Sequence, residues 1–186
     1  AYEEPTHVEL SFRTVSIPAA AGGSSLDDYL KQVLNFEFPD GVLQSFNGKQ
    51  VRQWIQLGSN DEDSPLWRVQ EHFHDPTKLW NQAGPITGGI SSVIWSQTQN
   101  QDNGVGSGNH SWKDARDSYF NALTATNTAQ RQQHWADTFQ SLGHLMHLIQ
   151  DASSPAHTRN DLHFSLWGIG DTDRLHVWGN KTAGLA

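Results

Sequence analysis

The stretch from Ser141 to Asp161, SLGHLMHLIQDASSPAHTRND, carries three histidines, two aspartates and a helix-ending proline. His147 and Asp151 stand four residues apart, so on a helix one lies a turn above the other and both can close on one ion. Leu145, Met146, Leu148 and Ile149 cover most of the remaining circumference, the pattern of a buried helix. That places the side bearing His147 and Asp151 in the interior as well. A carboxylate there has to be paired or bound to metal, because an isolated buried charge is too costly to keep. Pro155 cannot continue the helix, and it turns the chain so that His157 can return toward the same place. Taken alone, an HxxxD pair is equally satisfied as a core histidine hydrogen-bonded to an aspartate. Here the pair has further histidines and carboxylates for company.

Working outward, the longest helix is expected from Thr128 to Asp151, packed through Trp135, Phe139, Leu142, Met146 and Ile149. His144, one turn before His147, reads as a hydrogen-bonding partner. Thr6 and Glu9 form a capping box that puts His7 in the first turn of an amino-terminal helix. Ser25 caps a second helix, with Leu26, Tyr29, Leu30, Val33 and Leu34 on one face. Val51, Trp54 and Ile55 mark a short third helix stopped by Gly58. Ile90 to Trp95 reads as a short buried helix, and Ser111 caps another with Trp112, Ala115, Tyr119 and Ala122 inward. Residues 97–110 read as a loop that leaves His110 on the surface. Strand alternation is nearly absent. The expected architecture is therefore one all-α domain spanning 1–186, a multi-helix bundle with a metal cluster between helices.

Composition limits the chemistry. There is no cysteine, so a metal must take His, Asp, Glu, backbone or water. The formal net charge of −8, with only 12 Lys and Arg, argues against a surface that tracks duplex nucleic acid. No apolar run approaches the roughly twenty residues of a membrane span, and no signal peptide opens the chain. A second informative stretch, GSNDEDSPLWRVQEHFHDP from Gly58 to Pro76, sets Asp61, Glu62 and Asp63 before His72. An acidic turn of this kind is ordinarily solvated.

The run Leu142-Gly143-His144-Leu145-Met146-His147, then Asp151, Pro155 and His157, resembles the zinc-dependent phospholipase C family. That superfamily also holds fungal single-strand-specific nucleases. Gly58-Ser59, the acidic turn and His72-Phe73-His74-Asp75-Pro76 resemble the family's second ligand stretch, and Thr6-His7 its amino-terminal one. The resemblance implies an all-helical fold holding up to three zinc ions, two of them tightly. It implies one zinc at Asp63, His72, His147 and Asp151, with Asp61 as the alternative to Asp63. A second would share Asp151 with His7 and the amino-terminal residue. A third would use His157 and His176, where Asn180 replaces the family's acidic ligand and His163 is the fallback. Asp63 would assist the attacking water. The implied activity is phospholipase C hydrolysis of phosphatidylcholine-like lipids, by a secreted or periplasmic protein making peripheral membrane contact. The alternatives are a single-strand-specific nuclease and a non-enzymatic helical domain stabilised by metal.

Overall fold

The computed structural model describes residues 4–17, 23–99, 101 and 108–161. Its helices are α1 (Glu4–Ser16), α2 (Leu26–Gln32), α3 (Val51–Asp61), α4 (Ser92–Trp95), α5 (Trp112–Thr124), α6 (Thr128–Asp151) and α7 (Pro155–Thr158). Tight 3-10 turns occupy Gly41–Leu43, Leu66–His72 and Trp80–Gln82. The described residues contain one pair of strands, β1 (Ser45–Phe46) antiparallel to β2 (Lys49–Gln50). The fold is all-α.

Local chemistry sets the helix starts. The hydroxyls of Ser25 and Ser111 accept from the backbone N–H of Asp28 and Asp114, whose carboxylates bond back to the capping residues. Each such cap stabilises its helix by about 1 kcal/mol. α1 starts before Thr6, which is buried within the helix and does not cap it. Pro5 fits the first turn, where its missing N–H would have had no helical partner.

α6 is the axis of the bundle. α3 and α5 pack along it, and α1 lies on α3 with a lighter contact to α6. The core joins Val15, Leu30, Phe38, Val51, Ile55, Trp135, Ala136 and Phe139. Phe38 sets its edge against Trp135 at 4.8 Å and Phe139 at 5.5 Å between ring centres. Burying side chains of this size stabilises the fold by about 1.5–3 kcal/mol each.

Gly58 does not stop α3, which runs on to Asp61. Its role is tertiary. A Cβ at Gly58 would overlap the Gln140 carbonyl, and one at Gly143 would overlap the Ile55 carbonyl. The two glycines let the backbones of α3 and α6 meet, which brings Ser59 against His147.

α6 is also not buried all round. Ile149 is 70% exposed, and with Leu145, Met146, Val93 and Trp112 it lines an open apolar groove of about 490 Å³. Trp112, expected inward, is 48% exposed because the first residue after the Ser111 cap points along this groove and not into the core.

Candidate metal centre

Asp151, the last residue of α6, is fully buried and faces four imidazoles. His7 Nε2 lies 3.3 Å from its Oδ1. His72 Nδ1, His147 Nε2 and His157 Nδ1 lie 2.8, 3.4 and 3.4 Å from its Oδ2. Asp63 completes the group, with Oδ1 3.5 Å from both His72 Nδ1 and His147 Nε2. The contributions come from α1, the turn after α3, the 3-10 turn Leu66–His72, α6 and α7.

Hydrogen bonds fix which ring nitrogens face the carboxylates. His147 Nδ1–H donates to the Ser59 carbonyl at 2.7 Å, so its Nε2 carries a lone pair toward Asp63 and Asp151. For His7 the assignment follows a chain of donors. Ser59 Oγ donates to the His7 carbonyl, so Ser11 Oγ donates to Ser59 and accepts from the Gln150 amide N–H. That turns the Gln150 oxygen onto His7 Nδ1 at 2.7 Å, which must then be the donor. His7 Nε2 therefore presents a lone pair to Asp151 Oδ1. His157 Nδ1–H donates to the His72 carbonyl at 3.0 Å, while the His74 N–H donates to the His157 carbonyl. This side-chain bond and backbone bond together hold α7 against the segment that bears His72.

Lone pairs of neutral imidazoles facing carboxylate oxygens repel unless a proton or a cation lies between them. Asp151 Oδ1 and His147 Nε2 are buried with no hydrogen-bond partner. The spacing suits a cation. Ligand atoms about 2.0–2.1 Å from a tetrahedral ion lie roughly 3.3–3.4 Å from one another. His72 Nδ1 and His147 Nε2 each lie 3.5 Å from Asp63 Oδ1, and His147 Nε2 lies 3.4 Å from Asp151 Oδ2, while His72 Nδ1 is hydrogen-bonded to Asp151 Oδ2 at 2.8 Å. Two overlapping groups, His7 with His147 and Asp151, and Asp63 with His72 and His147, can hold a metal ion.

The electrostatics carry the mark of this crowding. Burial works to raise the pKa of Asp151, but His157, His147, His7 and His72 hold it well below the ordinary value. Burial works to lower His72, yet Asp151 and Glu62 push it up to about 10. His147 is raised by Asp151 against the same burial. His157 is driven down to about 3, chiefly by burial.

Six of the seven ligands expected from sequence, His7, Asp63, His72, His147, Asp151 and His157, come together here. His176, with His163 and Asn180, lies outside the described residues. Asp61 accepts from Asn60 and Gln140, and Asp63 is the carboxylate that faces the imidazoles. His144 hydrogen-bonds through Nδ1 to Glu62 Oε2 at 2.5 Å, as a partner and not a ligand. His110, expected on the surface, is half-buried. Its ring stacks on His144 at 3.9 Å, and burial drives its pKa down to about 3.

Sequence reasoning missed Glu62. It sits in an acidic run that reads as solvated, yet it is fully buried and held by Arg68, Trp95 and His144. The available signal was Arg68, a single cation six residues downstream in the same stretch. No protein family, curated protein or solved structure is matched by this chain.

Proposed function

We propose that the chain is a zinc-dependent phosphodiester hydrolase of the phospholipase C type, acting on phosphatidylcholine-like lipids at a bilayer surface outside the cytoplasm. The observation that carries this reading is the division of Asp151. Its Oδ1 faces His7 while its Oδ2 faces His72 and His147, the disposition of a carboxylate shared by two cations. A donor set of imidazole and carboxylate without thiolate suits zinc. Zinc ions held there would supply Lewis-acid polarisation of a phosphoryl oxygen and activation of water near neutral pH.

The chain's own residues supply position and a base. His147 and His7 are locked in one tautomer by Ser59 and Gln150, which turns their Nε2 atoms toward Asp151. Asp63, with 24% of its side chain exposed, has more access to solvent than Asp151, which has none. It is the group placed to take a proton from an attacking water. A third ion would need His157 together with His176.

Support for a lipid substrate comes from the segment around His72. The turn bearing His72 exposes Leu66 and Trp67, and the following loop exposes Leu79, Trp80 and Ile86. Apolar and aromatic side chains of this kind suit a membrane interface. The net charge of −8 weighs against a nucleic-acid substrate. Zinc-loaded protein should hydrolyse lecithin vesicles, and lose that activity on chelation. Hydrolysis of single-stranded DNA in place of lecithin would establish the nuclease instead. Fewer than two tightly held ions per chain, with neither activity, would establish a metal-stabilised domain without catalysis.

A further inference from the structure

We infer that Glu62 is a positioning residue that holds the Nε2–H of His72, so that the ring offers Nδ1 to the metal. This rests on the metal reading above. Of the two imidazoles that face both Asp63 and Asp151, His147 does so through Nε2 and His72 through Nδ1, which lies 2.8 Å from Asp151 Oδ2 and 3.5 Å from Asp63 Oδ1. For Nδ1 to ligate, the remaining ring proton must sit on Nε2, where it needs an acceptor. Nε2 of His72 is buried with no hydrogen-bond partner, and Glu62 Oε1 stands 3.7 Å from it.

Glu62 has been fixed in place for this. Its Oε1 accepts from Trp95 Nε1 at 3.0 Å, and its Oε2 accepts from Arg68 Nη2 at 2.6 Å and from His144 Nδ1 at 2.5 Å. Arg68 is itself buried and held by Gln101 Oε1 at 3.1 Å, and His110 stacks on His144 from the far side. The carboxylate therefore cannot swing to the cation and compete with Asp63. It stands behind His72, as carboxylates stand behind metal-bound imidazoles. With an ion at Nδ1, the 3.7 Å between Nε2 and Oε1 has to shorten into hydrogen-bond range.

The test is zinc titration of the folded chain against a chromophoric chelator, with long-range proton–nitrogen spectra of the histidine rings. In the zinc-loaded wild type, His72 should carry its proton on Nε2 and its metal on Nδ1; the opposite assignment overturns the proposal and needs no variant. Glu62→Gln should weaken zinc binding about ten- to a hundredfold while the protein stays folded, and Glu62→Asp should recover part of that loss. Unchanged affinity in a folded Glu62→Gln protein overturns the role of Glu62 while leaving the metal site intact. A wild type that takes up no zinc overturns the metal site, and this role with it.

Discussion

The Nδ1–H of His147 donates to the main-chain oxygen of Ser59 at 2.7 Å, across the point where α3 and α6 come closest. A main-chain carbonyl has no rotamer, so the orientation of His147 is set by how near the two helices lie. That nearness is set by Gly58 and Gly143. Packing and chemistry are therefore coupled at one crossing.

Replacing Gly143 with Ala places a methyl group on the Ile55 carbonyl. The helices must separate, at a cost of about 1–3 kcal/mol, and His147 is drawn off Ser59. Thermal denaturation should show the lost stability and zinc titration a weaker site. A variant as stable as its parent would mean that the crossing is looser than described.

Asp151→Asn removes the one carboxylate that all four imidazoles face. The proposed hydrolysis should vanish, and metal analysis should find the ion facing Oδ1 and the ion facing Oδ2 lost together. Loss of a single ion with activity retained would deny Asp151 its shared place.

Gln150→Leu leaves His7 Nδ1–H without its acceptor and frees the ring to turn. The ion that uses His7 should bind about ten- to a hundredfold more weakly, while the ion held by Asp63 and His72 is little affected. Stepwise titration separates the two; equal weakening of both would sink the assignment of His7 to one of them.

Acid and alkali should destabilise the metal-free chain for different reasons. The depressed pKa of Asp151 gives stability that is present above its unfolded value, about 3.9, and is lost as pH falls through the folded value. His72, raised to about 10, gives stability that is complete below its unfolded value of about 6.5 and is lost as pH rises through about 10. Urea midpoints of chelated protein should therefore peak between these limits. At neutral pH a metal must displace the His72 proton, so zinc uptake should release acid in a pH-stat. Uptake without proton release would contradict the raised pKa.

Much of the frame was legible because it is written locally. Thr128 and Asp151 bound α6 because its apolar pattern is long, and Ser25 and Ser111 mark helix starts through contacts three residues away. The HxxxD spacing and the return of His157 after Pro155 are local in the same sense. What the sequence concealed depends on partners far along the chain. Gly58 reads as a stop because only α6 reveals why a side chain is excluded there. His110 reads as surface because His144, its stacking partner, lies 34 positions later. Glu62 reads as one acid among three, until Arg68, Trp95 and His144 close around it.

The longest of these closures joins His7 to Asp151, nearly the whole described chain. Drawing two such distant points together costs an unfolded polymer entropy that grows with the logarithm of the loop between them. A chain with cysteines can meet that cost by oxidising a pair of them, and this chain has none. An ion gripping both points would serve as its reversible cross-link, a clasp that opens to a chelator instead of a reductant.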